Sequence, residues 1–388
     1  GFVGPRLLRL LDSPVVLSRD PDRARRTLGG LAGRVVRWDP LEGPPPPEAF
    51  AGIDAVLHLA GESVAEGRWT KAQKAKIRDS RVIGTRHLVQ GIAQAERKPA
   101  VLVSASAVGW YGDRGDEELT EAAPPAHDFL ADVCVEWERE ARAAEASGVR
   151  VVTARTGIVL GAGGGALAKM LTPFKLGAGG PLGSGRQWMP WIHVADLARL
   201  YLHAAENASL RGAMNAVAPH PVRNSEFTKA LGRALHRPAF IPAPYLGLRL
   251  LFGEFAQVLF ASQRVIPAVL AGVGLLVLWQ VLTGRNVGPA AISMALVYGA
   301  AISLLSLATP ISPIRGSTGG RCGSSWNCAS RRRRNRRSET TERPAKSRSW
   351  SQAGPPRPKK SRKPTTRAAT PRSEEHTSEL QSRFGISY

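Results

Sequence analysis

The sequence predicts an α/β fold built on a doubly wound, largely parallel sheet, and three observations point there. Short β-type runs alternate with charged, helix-type stretches over residues 1–262. The runs are nearly all apolar, as strands buried on both faces are. The chain opens on Gly1-Phe2-Val3-Gly4, followed by Leu7, Leu8 and Leu10, which has the form of a glycine-rich loop leading into a helix.

The elements follow in order. Val15-Val16-Leu17, Val35-Val36, Ala55-Val56-Leu57-His58-Leu59, Val101-Leu102-Val103-Ser104 and Val151-Val152-Thr153 read as buried parallel strands. Lys71–Gln94 and Phe129–Ala146 read as helices, and the Pro44–Pro47 run as a surface connection. The opening resembles the second half of a G-x-x-G-x-x-G loop, so the sheet is expected to lack its first strand. A chain without an initiator Met is expected to be a fragment.

Composition bounds the rest. At 388 residues with 43% hydrophobic and 22% charged residues, the chain can bury a sizeable core. The formal charge of +22 ordinarily suggests nucleic acid or an anionic surface. Its distribution does not: 19 of the Lys/Arg residues but only 5 of the Asp/Glu residues lie from Pro313 onward, and the body is mildly basic. Cys134, Cys322 and Cys328 make no disulfide framework and no C-x-x-C pair, so no metal is expected and a reducing, cytoplasmic setting is.

Two later regions differ in kind. Within residues 265–308, Val265–Leu282 and Val287–Ala308 are apolar stretches of transmembrane length. They read either as a membrane hairpin, with the rest of the chain cytoplasmic, or as pieces of a soluble domain. Residues 313–388, with Arg331–Arg334 as the densest run, are expected to be a disordered basic tail. Arg372–Ser382 resembles the translation of a sequencing-library adaptor, which marks the tail as foreign; nucleic acid is an expected partner only if the tail is native.

A dinucleotide site is legible in the body. Gly1 and Gly4 would let backbone approach a pyrophosphate at a helix N-terminus. The second strand ends in Ser18-Arg19, where an NAD enzyme carries an acid on the ribose hydroxyls. An acid repels a 2′-phosphate, whereas Ser plus Arg offers a hydroxyl and a charge-assisted fork, so NADP is the expected cofactor. Leu59-Ala60-Gly61 ends the next strand with small residues over which a cofactor can lie, and Arg81 is placed to meet the pyrophosphate. The plainer alternatives are a polar loop at Arg19 and a solvated helix charge at Arg81.

These residues resemble the epimerase-like, atypical branch of the extended short-chain dehydrogenases/reductases, a Rossmann-type NAD-dependent epimerase/dehydratase family with a C-terminal domain of unknown function. The likeness covers about residues 1–267. It is carried by His58–Glu62, Arg68-Trp69-Thr70, Ser80-Arg81 with Gly84-Thr85, Ser104–Gly112, Arg155–Gly161, Gly177–Gln187, Trp191–Asp196, Asn215–Pro219 and Gly232–Pro238. It implies a nucleotide-binding domain at 1–160, a small α/β substrate-side part at 161–267 and a non-family extension beyond. It also implies NADP contacts at Ser18, Arg19, Leu59, Ala60, Arg81 and Val159, to which Ser104 is added, and a structural rather than catalytic role for His193 and Asp196.

The expected chemistry is incomplete. Such enzymes use a Ser/Thr with a Tyr-x-x-x-Lys pair, in which Tyr moves the proton and Lys lowers its pKa. The matching helix, from Phe129, has neither Tyr nor Lys. Ser106 and Tyr111 are the remaining candidates for catalysis. Two readings stand: an NADP-dependent oxidoreductase or epimerase on a small, sugar-like molecule, and a non-catalytic redox-sensing NADP(H) module.

Overall fold

The computed structural model describes residues 1–272 and 384–387. In chain order the elements are α1 (Gly4–Leu8), β1 (Val15–Ser18), α2 (Pro21–Leu28), β2 (Arg34–Arg37), β3 (Ala55–His58), α3 (Lys71–Gln94), β4 (Val101–Ala107), β5 (Glu118–Leu119) and α4 (Phe129–Arg142). There follow β6 (Arg150–Thr156), β7 (Ile158–Leu160), α5 (Gly165–Lys175), β8 (Trp188–Met189), β9 (Trp191–His193), α6 (Val194–Glu206), β10 (Gly212–Ala216), β11 (Val222–Arg223) and α7 (Asn224–Ala234). The last are α8 (Tyr245–Phe252), α9 (Phe255–Phe260), β12 (Arg264–Val265) and β13 (Phe384–Ser387).

Seven strands form one parallel sheet in the order β10-β6-β4-β3-β13-β1-β2. Period-two alternation sends successive side chains to opposite faces. Val16, Leu57, Val103 and Val152 pack with Leu7 and Leu8 of α1 and Leu197, Leu200 and Tyr201 of α6. Val15, Leu17, Val56, Leu102 and Val151 pack with Leu88 and Ile92 of α3 and Ala141 of α4. Each fully buried Leu or Val contributes roughly 1.5–3 kcal/mol. The two apolar faces therefore fix the sheet between two helical layers.

The helices start where their side chains dictate. Asp128 accepts from the backbone N–H of Leu130 at 2.9 Å and of Ala131 at 3.0 Å, starting α4. Thr70 caps α3 by accepting from Gln73 N–H at 3.2 Å. Asp20 accepts from Arg23 N–H at 2.9 Å, with Pro21 pre-set for the first turn of α2. The α4 helix stops at Arg142, short of the expected Ala146, and a tighter turn follows.

As expected, no strand precedes α1 among the described residues; β13, from the far end of the chain, lies between β1 and β3 and pairs with both. Two expectations need correction. Phe384–Ser387 is thus ordered in a strand, against a tail disordered throughout; the rest of 313–388 lies outside the described residues. The first apolar stretch does not begin as a membrane segment. Val265 pairs with Leu119, and Val265 and Leu270 are buried in the cores, because the chain returns there to cover β5 and α1. Residues 273–308 lie outside the described residues, and among those described no helix is long and apolar enough to cross a membrane.

A smaller group of elements flanks the sheet's carboxyl edge: the parallel pair β7–β9, the antiparallel pair β8–β11 and the parallel pair β5–β12. Beside them, a buried ion pair ties α4 to the main sheet. Arg155 on β6 donates through Nε to Glu138 of α4 at 2.8 Å and through a terminal nitrogen at 3.1 Å, and the two side chains are 3% and 0% exposed. Removing one partner of such a pair strands the other charge and costs about 3–5 kcal/mol. Glu138→Ala should lower the unfolding free energy by roughly that amount in urea titrations, whereas Asp128→Ala, which removes only a cap, should cost about 1 kcal/mol.

Candidate functional site

Parallel strands place all their carboxyl ends on one edge, and ligands of such sheets bind there. The structure brings Ser18 and Arg19 (end of β1), Leu59, Ala60 and Gly61 (after β3), Ser106 (β4) and Val159 (β7) to this edge. Gly1–Gly4 joins them. The Phe2 ring lies against Gly164 and Gly165, where an added Cβ would come within 2.7 and 2.9 Å of it. Arg6 donates to the carbonyls of Phe2 and Ala162, both at 2.6 Å. The start of α1 and the loop after β7 therefore close one side of the edge together.

Arg19 is exposed and makes no ion pair among the described residues. The neighbouring acids are already engaged: Asp20 caps α2, and Asp22 pairs with Arg25 at 2.8 Å. The Ser18 hydroxyl accepts from Asp20 N–H at 3.2 Å, which shapes the turn beneath Arg19. The end of β1 thus presents an unneutralised guanidinium beside a hydroxyl.

Arg81 is placed differently from the expectation. Its guanidinium sits under the loop after β3, donating to the carbonyls of Glu62 at 2.9 Å and Ile77 at 3.0 Å, and stacks 5.1 Å from the Trp137 ring. A Cβ on Gly61 would meet that guanidinium at 3.2 Å, so glycine lets the loop rest on the arginine. Burial lowers the Arg81 pKa. Ser80 supports the same loop, its hydroxyl accepting from Glu62 N–H at 2.9 Å. Arg81 positions the loop from behind.

The catalytic candidates lie in the interior. Ser106 is 3% exposed and donates to Glu138 at 2.7 Å. Tyr111 is 0% exposed; its hydroxyl donates to Asn215 Oδ1 at 2.7 Å and accepts from Arg155 at 3.1 Å. Burial raises the Tyr111 pKa against the pull of Arg155. Ser104 is wholly buried beside His58 and donates to the Ala105 carbonyl. Where a Tyr-x-x-x-Lys pair would face the end of β4, α4 presents Leu130 and Cys134, one turn apart and both against Gly109. Burial, then Glu138, pushes the Cys134 thiol up to about 12, so no thiolate forms there at neutral pH.

His193 accepts from Ala195 N–H at 3.3 Å and so caps α6, while Asp196 pairs with Arg199 on the surface. Sequence reasoning missed the aromatic group where α9 meets the sheet domain. Trp69 packs on Phe129 at 5.3 Å and on Phe255 at 5.7 Å, and Lys74 bonds Glu254 across the same junction. The Arg68-Trp69-Thr70 run was the available signal. Among the described residues, no cluster of three or more His, Cys, Asp or Glu is placed to hold a metal.

Comparison with known proteins decides the family. The model of the NAD dependent epimerase/dehydratase family matches residues 1–216, and that of a domain of unknown function, DUF1731, matches residues 243–274. The chain belongs to the NAD dependent epimerase/dehydratase family. It is 43% identical over 240 residues to Epimerase family protein Mb2239 of Mycobacterium bovis, covering 62% of this chain and 79% of that protein. It is 41% identical over 279 residues to the chloroplastic Epimerase family protein SDR39U1 homolog of Arabidopsis thaliana, covering 69% and 78%. A crystal structure of human epimerase family protein SDR39U1 (isoform 2) with NADPH matches at TM-score 0.61 and 33% identity, over 77% of this chain and 96% of that one. The nucleoside-diphosphate sugar epimerase of Corynebacterium glutamicum matches at TM-score 0.51 and 30% identity, over 78% and 69%.

The family member's edge contains an acid-sensitive group. His58 ends β3 fully buried, 2.9 Å from the Thr85 hydroxyl, and burial followed by the charge of Arg81 lowers its pKa from 6.5 to about 3. Between those values the unfolded chain binds the proton and the folded one does not. Stability from this residue is therefore complete above pH 6.5 and is lost as pH falls toward 3. Urea midpoints should drop with acidification over this window, and less steeply in His58→Gln; equal slopes in the two proteins would remove His58 as the cause.

Proposed function

We propose that this family member binds NADP(H) at the carboxyl edge of its sheet and uses the nucleotide as a redox-sensing ligand, without a Tyr–Lys proton relay. The observation that carries the reading is the exposed, unpaired Arg19 beside Ser18, set against a β4 edge whose serine, tyrosine and cysteine are all buried. Gly1–Gly4 and the Gly61 loop would admit the pyrophosphate. Arg19 and the Ser18 hydroxyl would hold the 2′-phosphate. NADPH in the human relative supports the same assignment. When bound, the nicotinamide supplies a hydride donor or acceptor.

A second reading is an NADP-dependent oxidoreductase or epimerase acting on a small, sugar-like molecule. It is favoured by the flanking β7–β9 and β8–β11 pairs, which form a second wall at the edge. In that reading a proton must come from solvent, from the substrate or from Tyr111 after a rearrangement that frees its hydroxyl.

The two readings separate experimentally. NADPH should bind more tightly than NADH by fluorescence titration, and Arg19→Glu should weaken NADPH by roughly ten- to a hundredfold, the value of one charged hydrogen bond, while leaving NADH nearly unchanged. Equal affinity for the two nucleotides would sink the NADP assignment. Oxidation of bound NADPH by a sugar-like substrate, lost in Tyr111→Phe, would establish the enzyme reading instead.

A further inference from the structure

The turn that ends α7 carries an unusual residue. The His236 N–H bonds the Arg233 carbonyl at 3.1 Å, and the Arg237 N–H bonds the Gly232 carbonyl at 3.0 Å. That pair of bonds is the helix stop in which glycine ordinarily takes the left-handed position. Here the position is held by His236, at φ 52°. The turn sends the chain back close along the helix: a Cβ on Gly232 would meet the Ala239 Cβ at 2.6 Å and the Arg237 carbonyl at 3.0 Å. Between the helix and the returning chain lies a cavity of about 730 Å³.

Its lining is cationic. Lys229 and Arg233, one turn apart, face it from α7, and His236 and Arg237 face it from the turn. Phe240, 73% exposed, forms an apolar wall. No acid lines the cavity, and residues 227–253 contain none. Among the described residues these four basic side chains make no ion pair. Arg223, just before α7, is by contrast satisfied: it pairs with Asp116 at 3.0 Å and stacks on Trp188 at 4.3 Å. A helix C-terminus carries about half a negative charge, which one cation in the last turn offsets. Two guanidinium groups, an ammonium and an imidazole exceed that need, and the like charges of Lys229 and Arg233 repel each other across one turn.

We propose that this cavity is an anion site for a soluble organic phosphate whose apolar part rests on Phe240. Each guanidinium can present a fork to phosphate oxygens, and the Lys229 ammonium adds a point charge. The cavity has the size of a small-molecule pocket, roughly 300–1,000 Å³, which a phosphate group alone does not fill. An exposed aromatic ring is a stacking surface for a base or another flat group. The imidazole accounts for a histidine where glycine is easier, because the left-handed backbone brings its ring to the cavity. The site shares no residue with the proposed NADP(H) site and does not rest on it.

The test titrates the full chain with 5′-AMP by calorimetry, beside Arg233→Glu/Arg237→Glu, His236→Gly and Arg19→Glu. AMP should bind the full chain, and the double reversal should weaken it at least tenfold while the thermal midpoint and the NADPH titration stay unchanged. Both arginines are exposed, so the double variant should fold. His236→Gly should keep or raise the midpoint, since glycine suits the left-handed turn, yet bind AMP severalfold more weakly. No AMP binding, or binding as tight in both cavity variants as in the full chain, overturns the proposal. Binding lost in Arg19→Glu but kept in the double variant also overturns it, because AMP then sits at the carboxyl edge. A last arm replaces AMP with phosphatidylglycerol vesicles. Co-sedimentation with them in the absence of AMP binding overturns the soluble ligand in favour of a membrane surface.

Discussion

The Glu138–Arg155 pair is the constraint on which the carboxyl edge depends. Two opposite charges with 0% and 3% exposure survive only because each is saturated with partners. Glu138 takes two bonds from Arg155 and one from Ser106. Arg155 gives its remaining bonds to the Tyr111 hydroxyl and the Glu121 carbonyl, each at 3.1 Å, and lies 3.7 Å from the Trp110 ring centre. The Tyr111 hydroxyl passes the chain to Asn215, whose amide donates to Ile266 at 2.9 Å. One network thus binds β4, α4, β6, β10 and the segment after β12. A polar network of this kind is stable only when complete.

That completeness explains the chemistry left at the edge. A serine and a tyrosine near the end of a parallel strand look like proton carriers, but both are spent satisfying a buried charge. Freeing Tyr111 for a substrate would leave Asn215 and Arg155 each short of a partner inside the core, at about 1–3 kcal/mol per unsatisfied group. Hydrocarbon at Leu130 and an un-ionised thiol at Cys134 add no compensating base. The end of β1 is built the opposite way. At Arg19 a cation is left exposed while the acids around it are consumed by a helix cap and a local pair. An exposed cation and buried proton-bearing groups thus stand apart on the same edge.

Much of the sheet was legible in the sequence because parallel strands buried on both faces are written as short apolar runs. Val15–Leu17, Ala55–Leu59 and Val101–Ser104 all fell within a residue or a few of their strands. The end of β1 at Ser18 was legible too, since it depends on local order along one strand. What could not be read were partnerships across long sequence separations. Arg155 and Glu138 look in sequence like surface charges, and Tyr111 bonds a residue 104 positions away. Arg81 was placed on the right helix, but which side of the Gly61 loop it supports depends on the Trp137 ring behind it. β13 was beyond reach for a stronger reason. Phe384 and Ile386 favour strands, but four residues interrupted by Gly385 and far along the chain from their partners carry no signal of that pairing.

β13 links the two halves of the edge. β3 belongs to the rigid side, since it pairs with β4 and through it with β6, which carries Arg155. β1 belongs to the other side, paired only with β2 and β13. The ion-pair network can therefore hold Leu59–Gly61 in place, but it has no purchase on Ser18 and Arg19 except through the strand between them. Packing of Leu7 and Leu8 against Val16 orients β1 without fixing its distance from β3, because apolar contact is non-directional. Backbone pairing at a spacing of about 4.8 Å is directional and does fix it. In this structure that spacing is set by β13, which pairs with Val15–Leu17 on one side and with Ala55–His58 on the other.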